Sequence, residues 1–547
     1  MSLTVSAEII AATQTPSLQR YRQSVERMAA GQEMLIDTSK LDTQSLDDLM
    51  AAAHAAGDAK TSRAIESILL AQSGKFDRAV PNFKAFKGVL EAFLKSDCID
   101  GWIYVAGKDN RLYPQLVTSI SYDDGYRKVQ PSVCIHTTSI GFFHDNNGKP
   151  QYGVHHSAHS FFPQAVAKRR VADILVSDGI YKETQALRDA HMASIERHHK
   201  VTKAAFAQQF RVTGTAYYSK GRAQHQDSPA MTSRRVIHDL KPTERGPVQF
   251  YADSYIFADN ADSGGVGPVP EQPVIRVFDL HTHGFFWVHA DYMQPYEYDK
   301  SLRDKLILPA THRDLLDVLT ADIGAFVNDL IEGKSAGNVI LCKGIPGVGK
   351  TLSAEVYAEL IERPLYSINS GSLGTTAETI AENLEEIFLR AKRWNTVLLL
   401  DEADVFVVQR GNNIEQNAIV AEFLRTLEYF DGLLFMTTNR PNDIDEAIIS
   451  RCAAIIDYAP PEKDATAAVW RVMAEQFQSP LDKELISQLV SLFPAITPRD
   501  IKMLFRLALR VATAHKTPLS LDTFRRCAMF RAIKMEAGCM PQASTPV

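Results

Sequence analysis

The sequence predicts an α/β fold with a five-stranded parallel sheet over its C-terminal half. Three observations predict it. Short apolar runs alternate with helix-forming runs between residues 338 and 457, a glycine-rich loop follows the first of those runs, and two acids close the third. The runs at 339–342, 365–368, 397–400, 433–436 and 454–457 are almost continuously apolar, as strands covered on both faces must be.

The loop Gly344-Ile345-Pro346-Gly347-Val348-Gly349-Lys350-Thr351 fits the G-x-x-x-x-G-K-[ST] pattern. Its glycines allow a turn tight enough for successive backbone amides to point at one phosphate. The helical run that Leu352 opens adds its N-terminal donors and the positive end of its dipole. Lys350 supplies charge for β- and γ-phosphates, and Thr351 a hydroxyl for Mg²⁺. These residues predict a nucleoside-triphosphate site.

Leu398-Leu399-Leu400-Asp401-Glu402 sets two acids at the carboxyl end of a buried strand, where ligands bind in open α/β sheets. Asp401 suits the Mg²⁺ shell, and Glu402 suits activation of the attacking water. The fourth strand runs into Thr437-Thr438-Asn439-Arg440, where Asn439 can bond a γ-phosphate and the water, or serve as an ordinary turn residue. Ser450-Arg451-Cys452 precedes the fifth strand. Arg451 can project from the rim into a neighbouring subunit's site, or form a surface ion pair of little energetic weight; Arg440 is a second candidate. Thr497-Pro498-Arg499 opens a helix in the tail, so Arg499 can face the nucleotide or solvent.

Taken in order, the phosphate loop, Asp401-Glu402, Asn439, Arg451 and Arg499 resemble the Walker A, Walker B, sensor 1, arginine finger and sensor 2 of the AAA+ ATPase family, over about residues 306–535. Ser450-Arg451-Cys452 looks like the finger of clamp-loader subunits. Phe423-Leu424 and Tyr429-Phe430-Asp431-Gly432 are closer to AAA proteins proper, and the stretch from Tyr296 onward looks like poorly characterised AAA ATPases with long N-terminal regions. The resemblance implies a P-loop AAA+ core with a helical lid, ATP and Mg²⁺ as cofactors, and a homo-oligomeric, usually hexameric ring with sites between subunits. It implies a protein that remodels a protein client. The rival expectation is an ATP-controlled switch acting on DNA or on a defence or mobile-element partner. In one respect the sequence departs from the family: the loop from Ser370 to Thr376 lacks the aromatic-glycine pair of polypeptide-threading members, leaving Leu373 as a weak grip.

Around this core the expected order is a helical segment at 1–95, an α+β region at 96–300 that selects the partner, the ATPase subdomain at 301–460 and the lid at 461–547. A helix is expected at 311–331, capped by Thr311 and Asp314. With 547 residues the chain is too long for one core. A net charge of -6 disfavours direct nucleic-acid contact through overall positive charge. Six cysteines without C-x-x-C spacing, no secretory leader and no membrane-spanning run point to a reducing cytoplasm. Histidines cluster at His155, His156 and His159, at His198 and His199, and at His281, His283 and His289; packing and surface roles are expected for them ahead of metal binding.

Overall fold

A computed structural model describes residues 2–536 except 27, 29–31, 74–75, 108–110, 126–128, 145–149, 205, 219–226, 240–268, 322–337 and 375. The chain opens with strands β1 (Ser2–Ser6) and β2 (Glu33–Asp37), which pair antiparallel. An antiparallel sheet follows: β3 (Trp102–Ala106), β4 (Leu112–Asp123), β5 (Ser132–His144), β6 (Pro150–Phe161) and β7 (Ile180–Lys182), in spatial order β6-β5-β4-β3-β7. The amphipathic helix Phe83–Lys95 lays Phe86, Leu90 and Phe93 against it, in one cluster with Val117, Ile135 and Phe161.

Next come β8 (Gln209–Tyr218), β9 (Asp227–His238), β10 (Val274–Asp279), β11 (Phe285–His289) and β12 (Met293–Pro295). β8 pairs with β9, β9 with β10, β10 with β11, and β11 returns to β8, so the sheet closes into a small barrel. β12 completes the edge of β8. Closure removes the unpaired strand edges that an open sheet of this size would present.

The C-terminal sheet holds β13 (Asn338–Gly344), β14 (Leu365–Asn369), β15 (Val397–Asp401), β16 (Leu433–Thr438) and β17 (Ala454–Tyr458). The order is β14-β15-β16-β13-β17, every pair parallel, as the near-continuous apolar runs require. Alternation assigns the faces. Leu398 and Leu400 pack with helices Ala377–Trp394 and Ile414–Leu427, whereas Leu399 and Phe435 pack with the helix Lys350–Leu360. Each fully buried leucine contributes roughly 2 kcal/mol of transfer free energy. A separate helical unit, Lys463–Gln476, Lys483–Leu492, Pro498–His515 and Leu521–Met529, closes around Trp470, Phe505 and Phe524.

Several expectations are corrected. The first 95 residues are not purely helical, since β1 and β2 are strands. Residues 96–300 hold two separate sheets rather than one α+β unit. The helix after Pro309 spans Ala310–Thr320 with no side-chain cap bond, and the remainder of the expected 311–331 lies outside the described residues. His281 and His283, read above only as a histidine cluster, lie in the turn after β10; His283 has φ 55° and stacks on Phe278. Leu373 is 1% exposed in the core beneath β14, so it grips nothing in a pore. No described helix is long and apolar enough to cross a membrane.

Candidate active site

β13, β15 and β16 are neighbours, so the phosphate loop, the acid pair and Asn439 leave the same sheet edge side by side. Gly347 and Gly349 hold φ of 86° and 106°, the left-handed region in which glycine avoids a Cβ penalty. Gly344 carries φ 146°, and a Cβ there would fall 2.2 Å from the Tyr458 carbonyl. The helix Lys350–Leu360 starts behind Gly349 with no side-chain cap, so its opening amides have no intrahelical acceptor and no competing side chain. Ile345 and Leu352 are about half exposed at the loop's rim, while Pro346 and Val348 complete the turn.

The Lys350 ammonium donates to the carbonyls of Gly344 and Ile345, each at 2.8 Å, and to Asn439 Oδ1 at 2.9 Å. Burial pushes its pKa down, against the pull of Asp401 and Asp404. Thr351 Oγ1 donates to Asp401 Oδ1 at 2.8 Å, and Thr437 Oγ1 donates to the same oxygen at 2.7 Å. Hydroxyl and carboxylate oxygens converging this way are the donor set Mg²⁺ takes, so Thr351 and Asp401 fit that ion.

Glu402 has φ 53°, a left-handed conformation that costs a non-glycine residue about 1–2 kcal/mol. Two bonds hold it. Its N–H donates to Thr437 Oγ1 at 2.9 Å, and its carbonyl accepts from Ser370 Oγ at 2.7 Å. The carboxylate is exposed and hydrogen-bonds to no described residue. Asp404 accepts from Thr438 Oγ1 at 2.5 Å and from the Asn439 amide at 3.0 Å, fixing the turn that carries Asn439. Thr437, Asp404 and Ser370 are the members that sequence reasoning missed. Each contact joins positions 32 to 36 residues apart, visible only once β14, β15 and β16 are known to be neighbours.

Arg499 stands at the start of the helix Pro498–His515, which Thr497 caps through the Asp500 amide at 3.2 Å. Its backbone N–H donates to the Gly347 carbonyl at 3.1 Å, so the helical unit touches the phosphate loop directly. Arg451 lies apart from the loop. Its guanidinium donates to the Ala447 carbonyl at 3.2 Å and pairs with Glu428 at 3.6 Å. Among the described residues no bond joins it to the phosphate loop, Asp401 or Glu402 of its own chain. Arg440 is exposed at the turn, its amide bonded to Thr438 Oγ1.

Residues 340–459 match the family described as ATPase family associated with various cellular activities (AAA). A putative 26S proteasome regulatory subunit homolog of Methanothermobacter marburgensis is 31% identical over 33% of this chain and 50% of its own length. Fidgetin-like protein 1 of Drosophila melanogaster is 27% identical over 34% of this chain and 37% of its own. Spastin of Danio rerio is 26% identical over 38% and 35%. The chain thus spans half or less of these curated relatives. The parallel sheet, the glycine loop and these likenesses together assign residues 340–459 to the AAA ATPase family.

Proposed function

We propose that this chain is a Mg²⁺-dependent ATPase that works in a ring, a hexamer by family likeness, and uses hydrolysis to remodel a protein or protein-containing complex. The observation that carries this is Asp401 Oδ1, shared between the phosphate-loop hydroxyl of Thr351 and the β16 hydroxyl of Thr437. Bound ATP supplies the phosphoanhydride that breaks, and Mg²⁺ offsets its phosphate charge. Gly344 to Leu352 cradle the phosphates, with the Lys350 ammonium turning from the loop carbonyls to their charge. Thr351 and Asp401 hold the ion. Glu402 accepts the proton of the attacking water, and Asn439 aligns that water. Arg499 touches the nucleotide from the lid, and Arg451 reaches the neighbouring subunit's site from the rim. Residues 1–300 select the client in the cytoplasm.

Removing Lys350 tests the site. Lys350→Ala should lose ATP binding by isothermal calorimetry, and unchanged affinity would overturn the proposal. A second reading has its own observation. Because Leu373 is buried, the loop after β14 offers no apolar grip, which favours nucleotide-driven switching of a bound partner over processive threading. Turnover measured with an unfolded protein and with DNA separates the clients. Stimulation by DNA that falls steeply with salt would support a DNA-directed switch instead.

A further inference from the structure

Far from the phosphate loop, two neighbouring histidines and an acid converge at the joint between the antiparallel sheet and the barrel. His198 and His199 lie on the helix Gln185–Ala204, and Glu271 lies on the segment that leads into β10. Their three candidate ligand atoms lie within 4.8 Å of one another. His199 Nε2 stands 3.0 Å from Glu271 Oε2, and His198 Nδ1 stands 4.0 Å from Glu271 Oε1.

The surroundings hold each of the three in place. His198 is fully buried, and its Nε2 lies 3.2 Å from the Val274 carbonyl. A carbonyl oxygen only accepts, so Nε2 carries the hydrogen, and in the neutral ring Nδ1 is the atom left to bind a metal beside Glu271. An outer carbonyl of this kind is what orients a metal-binding imidazole. The Glu271 segment is pinned to β5, where Ile140 N donates to Pro270 O at 2.8 Å and Gln272 N to Ile140 O at 2.7 Å. Gly141 leaves room for Gln272, because a Cβ there would fall 2.3 Å from Gln272 Oε1. The helix itself is braced to the barrel by Arg197, paired with Asp291 at 2.7 Å.

We propose that His198, His199 and Glu271 bind one zinc ion that clasps the helix Gln185–Ala204 to the strand segment joining β5 and β10. Tetrahedral zinc with bonds near 2.0–2.1 Å sets its ligands about 3.3 Å apart, against 3.0 and 4.0 Å between the histidines and Glu271 and at most 4.8 Å across the set. Two imidazoles and one carboxylate leave one position, which opens to solvent past the 41%-exposed His199 side chain. The same set also suits iron(II), so the metal's identity is part of the test.

The untagged full chain, stripped with chelator and dialysed against Zn²⁺, should retain one zinc per chain by elemental mass spectrometry. Cobalt(II) in its place should give the visible bands of a four- or five-coordinate site. Glu271→Gln and His199→Asn should each weaken zinc binding at least about tenfold. His199 is partly exposed, so its variant should fold, and the cobalt spectrum needs no variant. Substoichiometric zinc in the unmodified chain, or zinc held by both variants as tightly as by the unmodified chain, overturns the site. Retention of iron(II) but not zinc under anaerobic dialysis overturns the choice of metal.

Discussion

At the scale of single residues, one hydroxyl organises the centre of the site. Thr437 donates to Asp401 and accepts from the Glu402 amide, so it orients the carboxylate suited to the ion and secures the backbone of the residue suited to the water. Thr437→Val keeps the shape and removes both bonds. With about 1.5–3 kcal/mol at stake, turnover should fall roughly 10- to 100-fold while ATP affinity changes little. Steady-state kinetics beside equilibrium binding checks this. Gly344→Ala should lower the unfolding midpoint, because its Cβ would collide with the Tyr458 carbonyl at φ 146°. Gly411→Ala, with nothing within 4 Å of its Cβ, should not; thermal scans of both settle the comparison.

Residues adjacent in sequence were the legible part of the site. The phosphate loop and the acid pair are contiguous, and their chemistry follows from type and spacing alone. Thr437, Asp404 and Ser370 were not legible, because a threonine or serine beside a strand end gains meaning only from its neighbour across the sheet. Leu373 was misread for a related reason: an apolar residue in a short polar loop reads as exposed, yet it drops into the core beneath β14.

At the scale of elements, the barrel is seated on the ATPase core through a mixed apolar and charged joint. Phe278 of the barrel packs at a tilt 4.6 Å from Trp394 and edge-on 5.3 Å from Tyr366. Buried Asp239 accepts from Trp394 Nε1 at 2.8 Å and pairs with Arg276 at 2.7 Å and Arg393 at 3.0 Å. Glu359, on the helix that starts at Lys350, accepts from Tyr296 OH at 2.7 Å and the Asp299 amide at 3.0 Å. One helix therefore touches the phosphate loop at its start and the N-terminal half near its end. Asp239→Ala strips one indole and two guanidinium groups of their shared acceptor and should cost about 3–5 kcal/mol. Calorimetry should show the first unfolding transition moving down, and an unchanged transition would remove Asp239 from this role. The five parallel strands were legible because each is a local apolar run. The N-terminal sheets were not, since their identity rests on antiparallel pairings between distant segments, such as β8 with β11.

At the scale of the whole molecule, Arg451 makes no bond to the nucleotide loop of its own chain and stays paired to Glu428 at the rim. That placement fits a side chain that serves a neighbour. Arg451→Ala should abolish turnover alone, while mixing it with Lys350→Ala chains should recover activity in rings where an intact site meets an intact arginine. Turnover by Arg451→Ala alone at the normal rate, independent of protein concentration, would refute the shared site.

The most direct measurement is single-turnover hydrolysis of γ-labelled ATP by Glu402→Gln in Mg²⁺. The account predicts stoichiometric ATP binding with phosphate release slowed at least about a hundredfold. Release at the rate of the unmodified chain would contradict it, because the exposed carboxylate beyond β15 would then have no part in activating water.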